Sequence, residues 1–152
     1  MCRLLRCAVG ALSVVFALMV AGPAGATAAV TITLPARADL TAKILGTVPV
    51  TVACGPYEQS MTTTGLSVTL EQAVAHGVAT GRGSLDSVNN PPFGLTCDGA
   101  AHVYSVAVTA DPTGPPFKSG NAIISGGANV VIGPCCSNIE TGSVGPQAIK
   151  LR

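Results

Sequence analysis

The sequence predicts an all-β domain, an antiparallel sandwich of two sheets and seven or eight strands, behind a short export leader. Three observations carry that expectation. Apolar residues recur at every second position almost throughout. Strong turn signals separate these runs at roughly ten-residue spacing. Past the leader, only residues 71–76 offer a helical pattern, and six residues are too few for a helix to hold alone.

Residues 1–26 read as a signal peptide. Arg3 and Arg6 charge the start, and Cys7 to Val20 is apolar apart from Gly10 and Ser13. Gly22-Pro23 breaks the run, and Ala24-Gly25-Ala26 supplies a small-x-small cleavage site, with a cut after Ala28 as the alternative. The run falls short of the ~20 apolar residues a membrane span needs. Export is therefore expected, with residues 27–152 forming one domain.

The elements follow in order. Val30, Ile32 and Leu34 alternate with threonines, and Val48, Val50, Val52 and Cys54 form the next run. Pro49 lies inside that run, which suits an edge or a position whose missing N–H faces outward. Leu66, Val68 and Leu70 begin a third strand that continues through Glu71-Gln72-Ala73-Val74-Ala75-His76. His76 to Leu85 is Gly-rich and weakly patterned, and reads as a further strand. Tyr104, Val106, Val108 and Ala110 share one parity, as do Ala122, Ile124, Ala128, Val130 and Ile132. Gly126-Gly127 marks a bulge or bend in that long strand. Ile149 and Leu151 close the pattern. Alternation of this kind puts one face of each strand in a core and the other in water.

Charge narrows the partners. The chain has eight Lys plus Arg and seven Asp plus Glu; without Arg3 and Arg6 the domain is near neutral. A thinly spread charge of that size gives no footprint for nucleic acid or an anionic membrane. The domain's aromatics are Tyr57, Phe93, Tyr104 and Phe117, with no tryptophan. Sugar-binding modules usually stack rings on aromatic platforms, so this composition weakens a carbohydrate-binding reading.

Four cysteines remain after the leader: Cys54, Cys97, Cys135 and Cys136. An even number in an exported domain implies disulfides, with three possible connectivities. Pairing Cys54 with Cys97 is favoured, because it ties the second strand to the Asp98-Gly99 turn. That bond closes a loop of about 43 residues, worth about 4 kcal/mol in the chain-entropy account. Cys135 and Cys136 are then left to each other, in a vicinal bond or loop clamp. A crossed arrangement, in which Cys54 and Cys97 pair with these two, stays open. No Cys-x-x-Cys spacing or nearby histidine suggests a metal.

Catalytic groups are few. A Ser-His-Asp set could draw on His76 or His102 with Asp98 or Asp111, but no Gly-x-Ser-x-Gly elbow supports it. Asp86, Asp98 and Asp111 sit in turn contexts, where a carboxylate bonding its own backbone is the ordinary role. Gly81-Arg82-Gly83 lacks the third glycine and the helix of a nucleotide loop. No catalytic residue, metal or cofactor is expected.

Four short stretches occur together in order: Val48-Pro49-Val50-Thr51-Val52-Ala53-Cys54-Gly55-Pro56, Thr96-Cys97-Asp98-Gly99, Pro116-Phe117-Lys118-Ser119-Gly120-Asn121-Ala122, and Ile149-Lys150-Leu151-Arg152. In them the chain resembles small secreted immunoglobulin-like proteins of unknown function from actinobacteria. The resemblance implies an immunoglobulin-like sandwich, a disulfide between the two matching cysteines, Cys54 and Cys97, and no enzymatic residues. Such proteins separate their last two cysteines, whereas Cys135 and Cys136 are adjacent here.

The expected function is a secreted, non-catalytic binding or surface-associated module whose partner is an extracellular protein or a small ligand. One alternative is a small-ligand carrier like the apoproteins of secreted chromoproteins, with an apolar cleft between the sheets. Another is an extracellular protease inhibitor presenting Gly133-Pro134-Cys135-Cys136 as a braced tip.

Overall fold

The computed structural model describes residues 29–42, 45–57, 61–133 and 138–152. Residues 1–26, expected to be a signal peptide, and the Cys135-Cys136 pair lie outside the described residues.

Every regular element among the described residues is a strand: β1 (Thr31–Thr33), β2 (Arg37–Thr41), β3 (Leu45–Ala53), β4 (Met61–Val74), β5 (Gly77–Asp86), β6 (Ala101–Ala110), β7 (Gly120–Ile132) and β8 (Asn138–Leu151). The 71–76 stretch continues β4 up to Val74, and the Gly-rich 77–86 stretch is β5. The period-two pattern set the faces correctly. Val48 and Val50 are fully buried, and Leu70, Val106, Val108, Ile124 and Val130 join them in one core. Phe117, from the loop before β7, fills the core beside them.

The two-sheet immunoglobulin-like sandwich is not what these strands build. The hydrogen-bonded ladder runs without a break through β3, β2, β8, β7, β4, β5 and β6 and returns to β3, a closed barrel of seven strands. β1 pairs with β3 beyond the end of β2. Two narrow seams make the closure. At one, β2 runs parallel to β8 through Arg37–Lys150 and Ala38–Leu151. Flanking backbone bonds reinforce it, from Leu40 N to Arg152 O (2.7 Å) and from Lys150 N to Ala36 O (3.0 Å). At the other, β5 meets β6 through Gly81–Ala110 and Arg82–Thr109.

Alternation could not reveal this closure, because it assigns faces and leaves open which edges meet. The missing information sits in the glycines. A Cβ on Gly81 would lie 2.8 Å from the Phe117 ring and 2.9 Å from the Thr109 carbonyl oxygen. A Cβ on Gly83 would collide with the Ala107 carbonyl and lie 2.8 Å from the Val106 side chain. Backbone this close to a neighbouring strand excludes any side chain. The weak patterning of 77–85 is therefore the mark of the seam.

Two smaller expectations find their cause. Pro49 sits where β3 has a partner on one side only, since β2 ends its pairing at Thr47 and β1 begins at Thr51. The missing N–H leaves no ladder bond unmade on that side. The β7–β8 register shifts between Ile124 and Gly126, so the Gly126-Gly127 pair does mark a bulge.

Candidate functional site

Residues 87–100 link β5 to β6 with Asn, Pro and Gly in place of alternating apolar residues, so they cannot extend the ladder. Local bonds coil the start of this loop. The Asp86 carboxylate accepts from the Val88 and Asn89 N–H groups, Asn90 N donates to Asp86 O (3.0 Å), and Phe93 N to Asn90 O (2.7 Å).

Distant residues then fasten it. Ser87 N donates to Thr64 O, and Thr64 N donates to Ser87 Oγ, both at 3.0 Å. Thr64 is buried, and its Oγ1 accepts from Leu95 N at 3.0 Å. Thr96 N donates to the Tyr104 hydroxyl at 2.7 Å. Gly99 N donates to Cys54 O at 2.9 Å, beside the Cys54–Cys97 disulfide. The favoured cysteine pairing is thus present.

Three of the domain's four aromatics gather at this end. Phe93 and Tyr104 meet edge to face with centroids 5.7 Å apart, and Tyr57 packs against the same core. Among the described residues the Tyr57 hydroxyl is buried with no hydrogen-bond partner in good geometry. Burial and the Glu140 charge raise its pKa, and the nearby Gly55 backbone opposes them. Above this base stand exposed Asn89, Asn90, Pro91 and Pro92, with Val88 68 % exposed. The result is a rigid scaffold under an open tip.

Of the residues considered for catalysis, the structure brings together only His102 and Asp98. His102 Nε2 donates to Asp98 Oδ1 at 2.9 Å. The same oxygen accepts from Ala100 N, so Asp98 shapes its own turn. The His102 bond, then the Ala100 bond, holds the Asp98 carboxyl below its usual pKa. Among the described residues no serine hydroxyl bonds His102. Asp111 accepts from Thr113 N and Oγ1, a turn role that also lowers its pKa. His76 is exposed in the β4–β5 turn, away from this end.

A second concave feature lies outside the β5–β6 seam. A groove of about 540 Å³ is lined by Thr69, Glu71, Thr80, Arg82, Thr109 and Asp111, among others. Arg82, on β5, is exposed within it.

Thr64 and Tyr104 were not legible as anchors, because their loop partners lie 31 and 8 residues away with no local motif. A scan of the chain against protein-family models finds no match, and a search of curated proteins finds none either.

Proposed function

We propose that the protein is an exported, non-catalytic binding module that seats an extracellular protein on the braced loop 87–100. The observation carrying this reading is the contrast within that loop. Its base is fastened by Thr64, Tyr104 and the Cys54–Cys97 bond, while its tip exposes Val88 and the Asn89–Pro92 run. A loop already held in one conformation loses little entropy on binding, which is how small scaffolds gain affinity. The disulfide suits an oxidising compartment, in keeping with the leader at residues 1–26.

The carrier reading is supported by a different feature. Core side chains fill the barrel interior, so a carried ligand would sit in the outer groove at Glu71, Arg82 and Asp111. The inhibitor reading gains less. Residues 86–90 are coiled by the Asn90–Asp86 bond, unlike the extended strand a protease takes, and the Pro134-Cys135-Cys136 tip lies outside the described residues.

Capture from culture medium and cell-envelope extracts tests the proposal, using immobilised protein and two variants. The expected result is a species held by the wild type and by Arg82→Ala but lost with Val88→Asp. Retention by Val88→Asp, or no capture at all, overturns the loop reading. Loss with Arg82→Ala alone moves the site to the groove.

A further inference from the structure

The outer face formed by β5, β4, β7 and β8 carries a patch that the loop reading leaves unused. In register across it stand Glu71 on β4, Ile123 on β7 and Ala148 on β8. Two residues back along β7 is Asn121, paired with Lys150 on β8. Ile123 is 50 % exposed and Val78, on β5, 54 % exposed. Between them runs an apolar groove of about 370 Å³, floored by Ala73, Ala122 and Ala148. An exposed isoleucine therefore stands beside a hollow lined with alanines.

The charges flank this knob on opposite sides. Glu71 and Lys150 are both exposed, and neither forms a salt bridge among the described residues. Arg37 on β2 stands in register with Lys150 on the β8 side, and Glu71 is the charged residue beside the knob on β4, with Arg82 of β5 one row further on, in register with Thr69. A surface with its acid and its base on opposite sides of an apolar knob, one row apart, is complementary to itself.

We propose that this face joins a second copy of the same chain. A two-fold axis lying in the plane of the face and crossing β7 between Asn121 and Ile123 exchanges the β4 side with the β8 side. Glu71 of each copy then meets Lys150 of the other, twice per dimer, and the two Ile123 side chains meet near the axis. Four strands at ~4.8 Å spacing and two or three residue rows give a patch roughly 20 Å by 15 Å. That is small beside the ~800 Å² per partner of a stable pair, so the dimer is weak and depends on concentration.

Sedimentation velocity on the purified protein, from micromolar to about 1 mM, tests this. The expected result is a monomer–dimer equilibrium within that range. Glu71→Lys or Lys150→Glu alone should weaken it about tenfold, and the double exchange should restore it. Ile123→Asp should abolish it while leaving the thermal unfolding transition in place. A monomer throughout the range, a dimer untouched by Ile123→Asp, or a double exchange that fails to restore association would overturn the proposal. None of these outcomes bears on the loop 87–100, so the two readings fail separately.

Discussion

Asp86, Asp98 and Asp111 each end a run of chain by accepting hydrogen bonds from groups just ahead of them. Asp86 is held mainly by the Asn89 backbone, Asp98 by the His102 side chain and Asp111 by the Thr113 side chain. Each carboxyl lies below its ordinary value of 3.8 for that reason. A depressed carboxyl stabilises the fold above the unfolded-state value, and that contribution is lost as pH falls through the folded-state value. Urea unfolding should therefore be unaffected by these groups from neutrality down to about pH 4 and fall off below it. Asparagine at all three positions keeps the turn acceptors but should remove part of the acid slope; an unchanged slope would refute the assignment. These roles were legible in the sequence, because a turn aspartate acts within a few residues. Gln72 shows the opposite case. Its buried amide accepts from Lys118 N (2.8 Å) and donates to Lys118 O (2.7 Å) and Asn121 O (3.3 Å). It brackets the loop that brings Phe117 into the core. With partners 46 and 49 residues away, nothing local announces it.

At the scale of elements, what was legible is what period-two patterning encodes. Strand faces, the Gly126-Gly127 bulge and the unpaired side of Pro49 all follow from neighbours along the chain. The seams do not, since pairing β5 with β6 depends on residues some thirty positions apart. The trace of the β5–β6 seam is glycine where a strand would prefer a β-branched side chain. Gly83→Val should accordingly destabilise the barrel by about 1–3 kcal/mol, as overpacking does. Faster amide exchange at Arg82 and Thr109 should accompany the loss. Gly94 serves as the control: nothing lies within 4 Å of a Cβ placed there, so Gly94→Ala should be nearly silent. Equal effects at the two positions would show that the seam is not limited by space.

The whole molecule is a ring stitched at two narrow places and clamped at one end by a covalent bond. Cys54 and Cys97 are 43 residues apart. Replacing both with alanine should lower the unfolding free energy by about 4 kcal/mol, read from denaturant midpoints against the oxidised wild type. A loss under about 1 kcal/mol would mean that residual structure already restricts the reduced unfolded chain. The β2–β8 seam has its own consequence. Arg152 bonds Asp39 through its guanidinium at 2.8 Å, across 113 residues of chain. Until the later segment arrives, β2 has no parallel neighbour, and the polypeptide is an open ribbon rather than a tube. Contacts so remote in sequence form late and slowly. The tube can close only after residues 150–152 dock on β2, so a polypeptide lacking them would keep an unpaired edge at that place.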